Sequence, residues 1–456
     1  MSARHASIPE VQDAWPTWRQ VADTLTFSAG YNTSVVLAGA ALLGVAAGIV
    51  GAFALLRKRS LVADALSHAT LPGIALAYLA ATALGYAGKS TPILLLGATI
   101  TGVLGVVSIQ LLLRHTRLKE DAAIGLVLSI FFGAGAVLMS VIQSLPRGDA
   151  AGLQGYIFAQ AAVMTGADAQ LMGVIAVVAA VTAALLIKEF GLVCFDDQFA
   201  RVQGWGVQTL DLAMLSLIVL VTVAGLQAVG LILVVALLIV PAVSARFWTE
   251  RLHRLVILSG LIGGLSGYLG AATSALLPRK PAGAVIVLTA GAIFFVSLML
   301  APSRGVLAAT IRRAKVRVRI AADHLLEAGF LHQHEGGAPR LHAEGVREVA
   351  QHRGWGPLMH AALRLHAIRT RLGRFEAGAF LLTPKGVERG RRVARNHRLW
   401  EQYLVTHAEL APSHIDWTVD QVEHVLSEDL VAQLESLLGD AAIPASGAAR
   451  AAGAPG

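Results

Sequence analysis

Nine stretches of the sequence, each of about twenty residues and almost free of charge, dominate everything before residue 303. They fall near 33–55, 61–83, 92–113, 122–144, 170–187, 207–226, 229–247, 254–276 and 283–301. As helices, each is long enough to cross the ~30 Å hydrocarbon core of a bilayer. A chain that is 55% hydrophobic and 14% charged has too few polar side chains to clothe a water-soluble globule of this size. The spans therefore predict an all-α polytopic membrane protein of about nine transmembrane helices over residues 33–302. Glycine recurs within them, as in GAALLGVAAGIVGAF and LSGLIGGLSGYLG, so a tightly packed bundle is expected.

The cations between spans are not scattered. Arg57, Lys58 and Arg59, then Arg114, Arg117 and Lys119, then Lys188 and Arg201, then Arg246, Arg251 and Arg254 fall at alternate ends, against Lys89, Arg147, Arg279 and Lys280 at the others. The positive-inside tendency then predicts an extracytoplasmic N-terminal segment (1–32) and a cytoplasmic C-terminus in a bacterial inner membrane. By the same reasoning the formal charge of +8 reads first as topology rather than as a nucleic-acid footprint. The first thirty residues have no basic stretch leading into an apolar core, so no cleaved signal peptide is expected. Cys194 is the only cysteine, which excludes a cysteine-built metal site within one chain and leaves His, Asp and Glu as the available ligands.

In the second span, Asp64 and His68 sit four residues apart in an otherwise apolar run, so a helix places them on one face. An ionisable side chain in hydrocarbon costs roughly 2.5–3.5 kcal/mol on insertion scales, so two of them require a partner or a water-filled path. Spacing alone leaves two readings open, a cation site and a mutually satisfied packing pair. The segment AGKST at 87–91 is not a phosphate-binding loop, because position 83 is Ala where that motif needs Gly. No ATP-binding motif is visible in the sequence.

After Pro302 the composition changes. A basic run (Arg312, Arg313, Lys315, Arg317, Arg319) opens a region holding eleven of the fifteen histidines. RIAADHLLEAGFL and LMHAALRLHAIRTRL have helical apolar spacing, and FLLTPKG reads as a strand and turn before the helix VERGRRVARNHRLWEQYLV. Residues 303–390 thus predict a basic, winged-helix-like cytoplasmic region, and the Gly/Ala-rich tail 441–456 is expected to be disordered. His397 and Glu401 stand at helical spacing, as do Asp420, Glu423 and His424; each set either coordinates a divalent cation or decorates a solvated face. Arg364, Arg369, Arg371 and Arg374 could reach phosphates, but tethering to a membrane restricts access to an operator, so DNA is not an expected partner.

The order of residues narrows these alternatives. Arg59-Ser60-Leu61, Asp64-Ala65-Leu66-Ser67-His68-Ala69 and Leu71-Pro72-Gly73-Ile74-Ala75 together resemble the hallmark segment of the permeases of zinc-, manganese- and iron-importing ABC transporters. The resemblance continues through EDAAIGLVLSIFFGAGAVL (120–138), KEFGLVCFDDQFARVQG (188–204), AVGLILVVALLIVPAVSAR (228–246) and LLPRKPAGAVIVL (276–288), and departs at YIFAQ (156–160), where Ala159 stands in place of a usual glycine. It implies a type II importer-like membrane domain in which Asp64 and His68 are ligands on the translocation path. Pro241, Ala242, Ser244, Ala245 and Arg246 would form the region that couples to the ATPase. The implied partners are a cytoplasmic ATP-binding subunit, an extracytoplasmic metal-binding protein, and a second copy or a second permease.

In the C-terminal third, LTPKG (382–386), RNHRLWEQYL (395–404) and VEHVLS (422–427) resemble the wing and the metal-binding and dimerisation helices of the iron- and manganese-dependent (DtxR/MntR-type) repressors. By position, His397, Asp420, Glu423 and His424 would be regulatory-domain metal ligands with Glu401 at a second site, all within helices spanning 391–440; Asp323 and Glu327 are alternatives for the ligand expected from the first helix. A carboxylate at 420 favours manganese over zinc or iron. The expected function is a divalent-metal permease with a cytoplasmic metal sensor. The alternatives are a membrane-anchored metal-dependent transcriptional regulator, for which nine spans are far more than an anchor needs, and a siderophore or vitamin permease, which has no use for an Asp/His pair.

Overall fold

The computed structural model describes residues 16–58, 60–85, 91–144, 164–277, 280–334, 338–407 and 428–438. The chain divides into two compact units, Met1–Ala308 and Ala309–Gly456.

Among the described residues the first unit is all helix. After an amphipathic α1 (Trp18–Leu25), whose N-terminus is closed by a Thr17–Gln20 capping box, come α2 (Tyr31–Leu56), α3 (Ser60–Ala69), α4 (Leu71–Ala83), α5 (Thr91–His115) and α6 (Glu120–Ser144). Then follow α7 (Gly166–Leu185), α8 (Ile187–Phe195), α9 (Asp197–Val202), α10 (Val207–Val229), α11 (Leu231–Trp248), α12 (Leu252–Leu276) and α13 (Ala282–Leu300). Among the described residues eight helical segments are long and apolar enough to cross a membrane. The stretch expected at 229–247 forms α11, an apolar helix of 18 residues. It is cut off from α10 by Gly230, whose φ of 88° only glycine adopts readily. The second span is built from two helices that break at Thr70, because Pro72 has no N–H to give to the carbonyl of His68.

α2 forms the centre of this unit, with Leu37, Leu43, Ala46, Ala47 and Ala52 wholly buried, whereas α13 turns Leu288, Phe295 and Leu300 outward. Lipid gives no hydrophobic reason for α2 and α12 to associate, and the sequence supplies another. Gly44 meets Gly263 backbone to backbone, Gly48 meets Ser259 and Gly267 meets Ala40; a Cβ on any of these glycines would overlap the carbonyl oxygen opposite. Ser259 Oγ donates to the Gly48 carbonyl at 2.6 Å, tying the same seam. A second seam joins α4 to α5 through Gly73 and Gly97.

The end of α2 carries an ion pair the sequence did not announce. Arg57 donates to both carboxylate oxygens of Asp211 on α10, at 2.9 and 2.8 Å, and to the Val193 carbonyl on α8 at 3.1 Å. Asp211 is buried, so removing the guanidinium takes two hydrogen bonds and an opposite charge from a buried carboxylate. Arg57→Ala is expected to destabilise the unit by about 3–5 kcal/mol. The loss should appear as a lowered melting temperature in detergent, with Arg57→Ala/Asp211→Ala recovering part of it; an unchanged melting temperature in the single variant would refute the assignment.

The second unit is a winged helix. α14 (Val306–His334) leads into it, followed by β1 (Arg340–Leu341), α15 (Ala343–His352), α16 (Pro357–Thr370), β2 (Gly373–Glu376), β3 (Ala379–Leu382), α17 (Pro384–His407) and α18 (Glu428–Leu438). The sheet is antiparallel in the order β1-β3-β2. The wing turns at Ala377 and Gly378, both at positive φ (48° and 81°), as a two-residue hairpin requires. FLLTPKG is strand followed at once by helix: Pro384 opens α17, and Thr383 Oγ1 accepts from Gly386 N at 3.0 Å. The core gathers Ala321, Leu325, Leu326, Leu341, Val346, Leu363 and Phe380. The tail 441–456, residues 1–15 of the segment 1–32 and YIFAQ at 156–160 lie outside the described residues.

Candidate metal path and sensor site

α3 holds Asp64 and His68 one turn apart, with His68 Nε2 3.6 Å from Asp64 Oδ1. That is too long for a hydrogen bond. Two ligands on one tetrahedral first-row ion, each bonded at about 2.1 Å, stand about 3.4 Å apart, which is nearly the separation seen here. The pair is not sealed in the core: the side chains are 20% and 39% exposed for His68 and Asp64, while Ala65, Leu66 and Ser67 between them are buried. His68 Nδ1, in contrast, is buried and has no hydrogen-bond partner among the described residues. α6 borders the pair. Phe132 packs edge-on to the His68 ring at 5.0 Å, and one turn along, Gly135 lets α6 pass close to Leu71 and Pro72. The arrangement presents one carboxylate oxygen and one imidazole nitrogen toward accessible space, a donor set suited to a divalent cation that is held and released.

The five residues expected to couple to an ATPase are distributed unevenly. Pro241, Ala242, Ser244 and Ala245 are buried, Ser244 Oγ donates back to the Val240 carbonyl at 2.7 Å, and only Arg246 is exposed. The accessible end of α11 also shows Trp248 and Glu250. This end is fastened to the exit of the last span: Arg304 donates to Glu250 Oε1 from Nε at 3.0 Å and from Nη2 at 2.8 Å, and Ser303 Oγ donates to the Phe247 carbonyl at 2.6 Å.

In the winged-helix unit, the two first-helix alternatives separate. Asp323 is buried and accepts both hydrogen bonds of Arg389, at 3.0 and 2.9 Å. That bond, outweighing burial, raises the Arg389 pKa above the ordinary arginine value. Glu327, one turn on, lies between two imidazoles: Oε1 is 3.6 Å from His397 Nδ1, and Oε2 is 3.9 Å from His324 Nδ1. No three His, Cys, Asp or Glu side chains converge on one point among the described residues. Asp420, Glu423 and His424 lie outside the described residues, as does the side chain of Glu401. Of the basic residues that could meet DNA, Arg374 pairs with Glu376 at 2.8 Å and Arg364 lies over the Phe375 ring at 5.7 Å.

Long-range pairs were out of reach of sequence reasoning. Arg57 read only as a topology marker, yet the lone Asp211 in VQTLDLAMLSLIVL was a signal, because a carboxylate in an apolar run needs a cation. His324 had no signal beyond its spacing of three from Glu327.

Fold and site together define a multi-pass α-helical membrane protein with an Asp–His pair in a broken span and an appended winged helix. Residues 31–301 match the family model described as the ABC 3 transport family, and the chain belongs to that family. Residues 383–444 match the iron dependent repressor, metal binding and dimerisation domain. The chain is 40% identical over 386 residues, 83% of its length and 86% of the relative's, to the manganese transport system membrane protein MntC of Bacillus subtilis (strain 168). That alignment is longer than the first unit, so it runs into the second. It is 44% identical over 286 residues, covering 63% of this chain and 94% of the relative, to the zinc transport system membrane protein TroC of Treponema pallidum (strain Nichols). Among solved structures, PsaBC from Streptococcus pneumoniae in complex with Fab aligns with a TM-score of 0.53 and 29% identity over 63% of this chain and 98% of that one.

Proposed function

We propose that the chain is the membrane-spanning subunit of an ABC importer for a divalent transition-metal cation, manganese in the first place and zinc or iron otherwise. The observation that carries this reading is the Asp64–His68 pair, 3.6 Å apart and reachable from outside the core, in a chain of the ABC 3 transport family. Two donors do not complete a coordination shell, so the remaining ligands come from water or from across an interface with a second copy or a second permease. An extracytoplasmic metal-binding protein delivers the ion. ATP hydrolysis is supplied by a separate cytoplasmic subunit, which meets the exposed end of α11 at Arg246 while Pro241, Ala242, Ser244 and Ala245 shape that end from within. Metal accumulation by cells expressing the complete transporter, assayed in parallel for manganese, zinc and iron, tests the reading: selective manganese uptake is expected, and no uptake of any of the three would sink it.

The second unit, on this reading, faces the cytoplasm and senses the metal that has entered. Glu327 fits the role of first-helix ligand and Asp323 does not, because Asp323 is already bound to Arg389. His397 stands beside Glu327, and the set is completed by Asp420, Glu423 and His424, with Glu401 at a second position. Bound manganese would supply the charge that holds these helices together; the protein supplies hard oxygen donors and imidazole. Removing 309–456, or making His397→Ala in the full chain, is expected to abolish the response of ATPase activity to cytoplasmic-side metal while leaving basal hydrolysis in place. A response that survives both changes would refute feedback through this unit. The winged helix keeps a transcriptional role in view, and operator binding by the full chain in nanodiscs would favour that alternative instead.

A further inference from the structure

The first half of α14 carries an exposed surface of two chemistries. Apolar residues recur at alternating spacings of four and three, Leu307, Ile311, Ala314, Val318, Ala321 and Leu325, which makes one continuous stripe along the helix. Its second half is core: Ala321 and Leu325 are buried and Val318 packs against them. Its first half is open, with Leu307 51% and Ile311 45% exposed and Ala314 exposed beside them. The cations are not spread at random around this stripe. At 100° per residue, Arg312, Lys315 and Arg319 lie about 100° to one side of it and Arg313 and Arg317 about as far to the other. All five are exposed, and no acidic residue occurs between Gly305 and Ala322.

Charge decides what can cover this stripe. A second copy packing seam to seam would set two rows of arginine and lysine against each other with no carboxylate to neutralise them. Nucleic acid would satisfy the cations but has no place for an apolar stripe between them. An anionic bilayer surface takes both, the stripe entering the boundary of the acyl region and the flanking cations reaching lipid phosphates. The segment is also at the right place in the chain, since α14 begins six residues after the last membrane-crossing helix ends at Leu300. We propose that residues 306–319 form an amphipathic helix that docks on anionic phospholipid headgroups of the membrane the chain itself spans.

Amide hydrogen exchange of the full chain tests this in nanodiscs of phosphatidylcholine alone and of phosphatidylcholine mixed with phosphatidylglycerol. Exchange over 306–319 is expected to be several-fold slower in the anionic discs. The difference should vanish in high salt. It should vanish as well in a variant combining Arg313→Gln, Lys315→Gln, Arg317→Gln and Arg319→Gln, and it should shrink in Ile311→Ser. Equal exchange in the two lipids would overturn the proposal. So would protection that appears in zwitterionic discs on adding a short DNA duplex, which would assign the surface to nucleic acid, or protection there that grows with protein concentration, which would assign it to a second copy. Amides of 321–326 report whether the multiple variant still folds, and the salt titration of the unaltered protein decides the matter without that variant.

Discussion

Asp64→Ala is expected to reduce metal accumulation to the level of cells lacking the transporter, a fall of a hundredfold or more, since even indirect supports of a metal site are worth about 10- to 100-fold. The physical interest lies in what should not fall. Deleting a carboxylate from a membrane-embedded helix relieves roughly 2.5–3.5 kcal/mol of insertion cost, so the variant should reach the membrane at least as well as the unaltered protein. Lost uptake at preserved abundance therefore isolates the ligand role from any folding defect. Asp64→Asn keeps the shape and removes the charge, and it should behave as the alanine variant does. His68→Ala should also abolish uptake, although it opens space beside Phe132. Unchanged accumulation in all three variants would reduce the pair to packing.

Gly263→Leu is expected to cause the largest structural loss, because its Cβ would overlap the Gly44 carbonyl oxygen, and backbone cannot step aside as a side chain can. Overpacking of this kind exceeds the usual 1–3 kcal/mol and should leave little folded protein after detergent extraction. Gly291→Leu on α13 supplies the contrast. Nothing lies within 4 Å of a Cβ at that position, so the same substitution there should leave the elution profile and melting temperature nearly unchanged. Equal damage at both positions would show that the helices reject leucine for some reason other than the close seam.

What could be read from the sequence followed the range over which each signal acts. The spans were legible because lipid filters composition over twenty consecutive residues, and the pairing of Asp64 with His68 was legible because one helical turn places them together whatever else happens. Where α10 ends and α11 begins was less so: the break depends on Gly230 taking a positive φ, which sequence permits without requiring. The wing was half seen, since AFLL reads as a strand while its partner GRFE is polar enough to pass for loop until the Ala377–Gly378 turn folds it back. The proposed preference for Glu327 over Asp323 could not be read locally, because it turns on Arg389 and His397, sixty-six and seventy residues away along the chain.

The fastening of Arg304 to Glu250 and of Ser303 to the Phe247 carbonyl carries a consequence for how such a chain could be assembled from parts. The last residues of the permease are secured by other residues of the permease, before the second unit begins at Ala309. A membrane domain whose last residues are tied back to its own α11 closes its end before Ala309, so a following domain could be joined, exchanged or lost at this point by a single genetic splice.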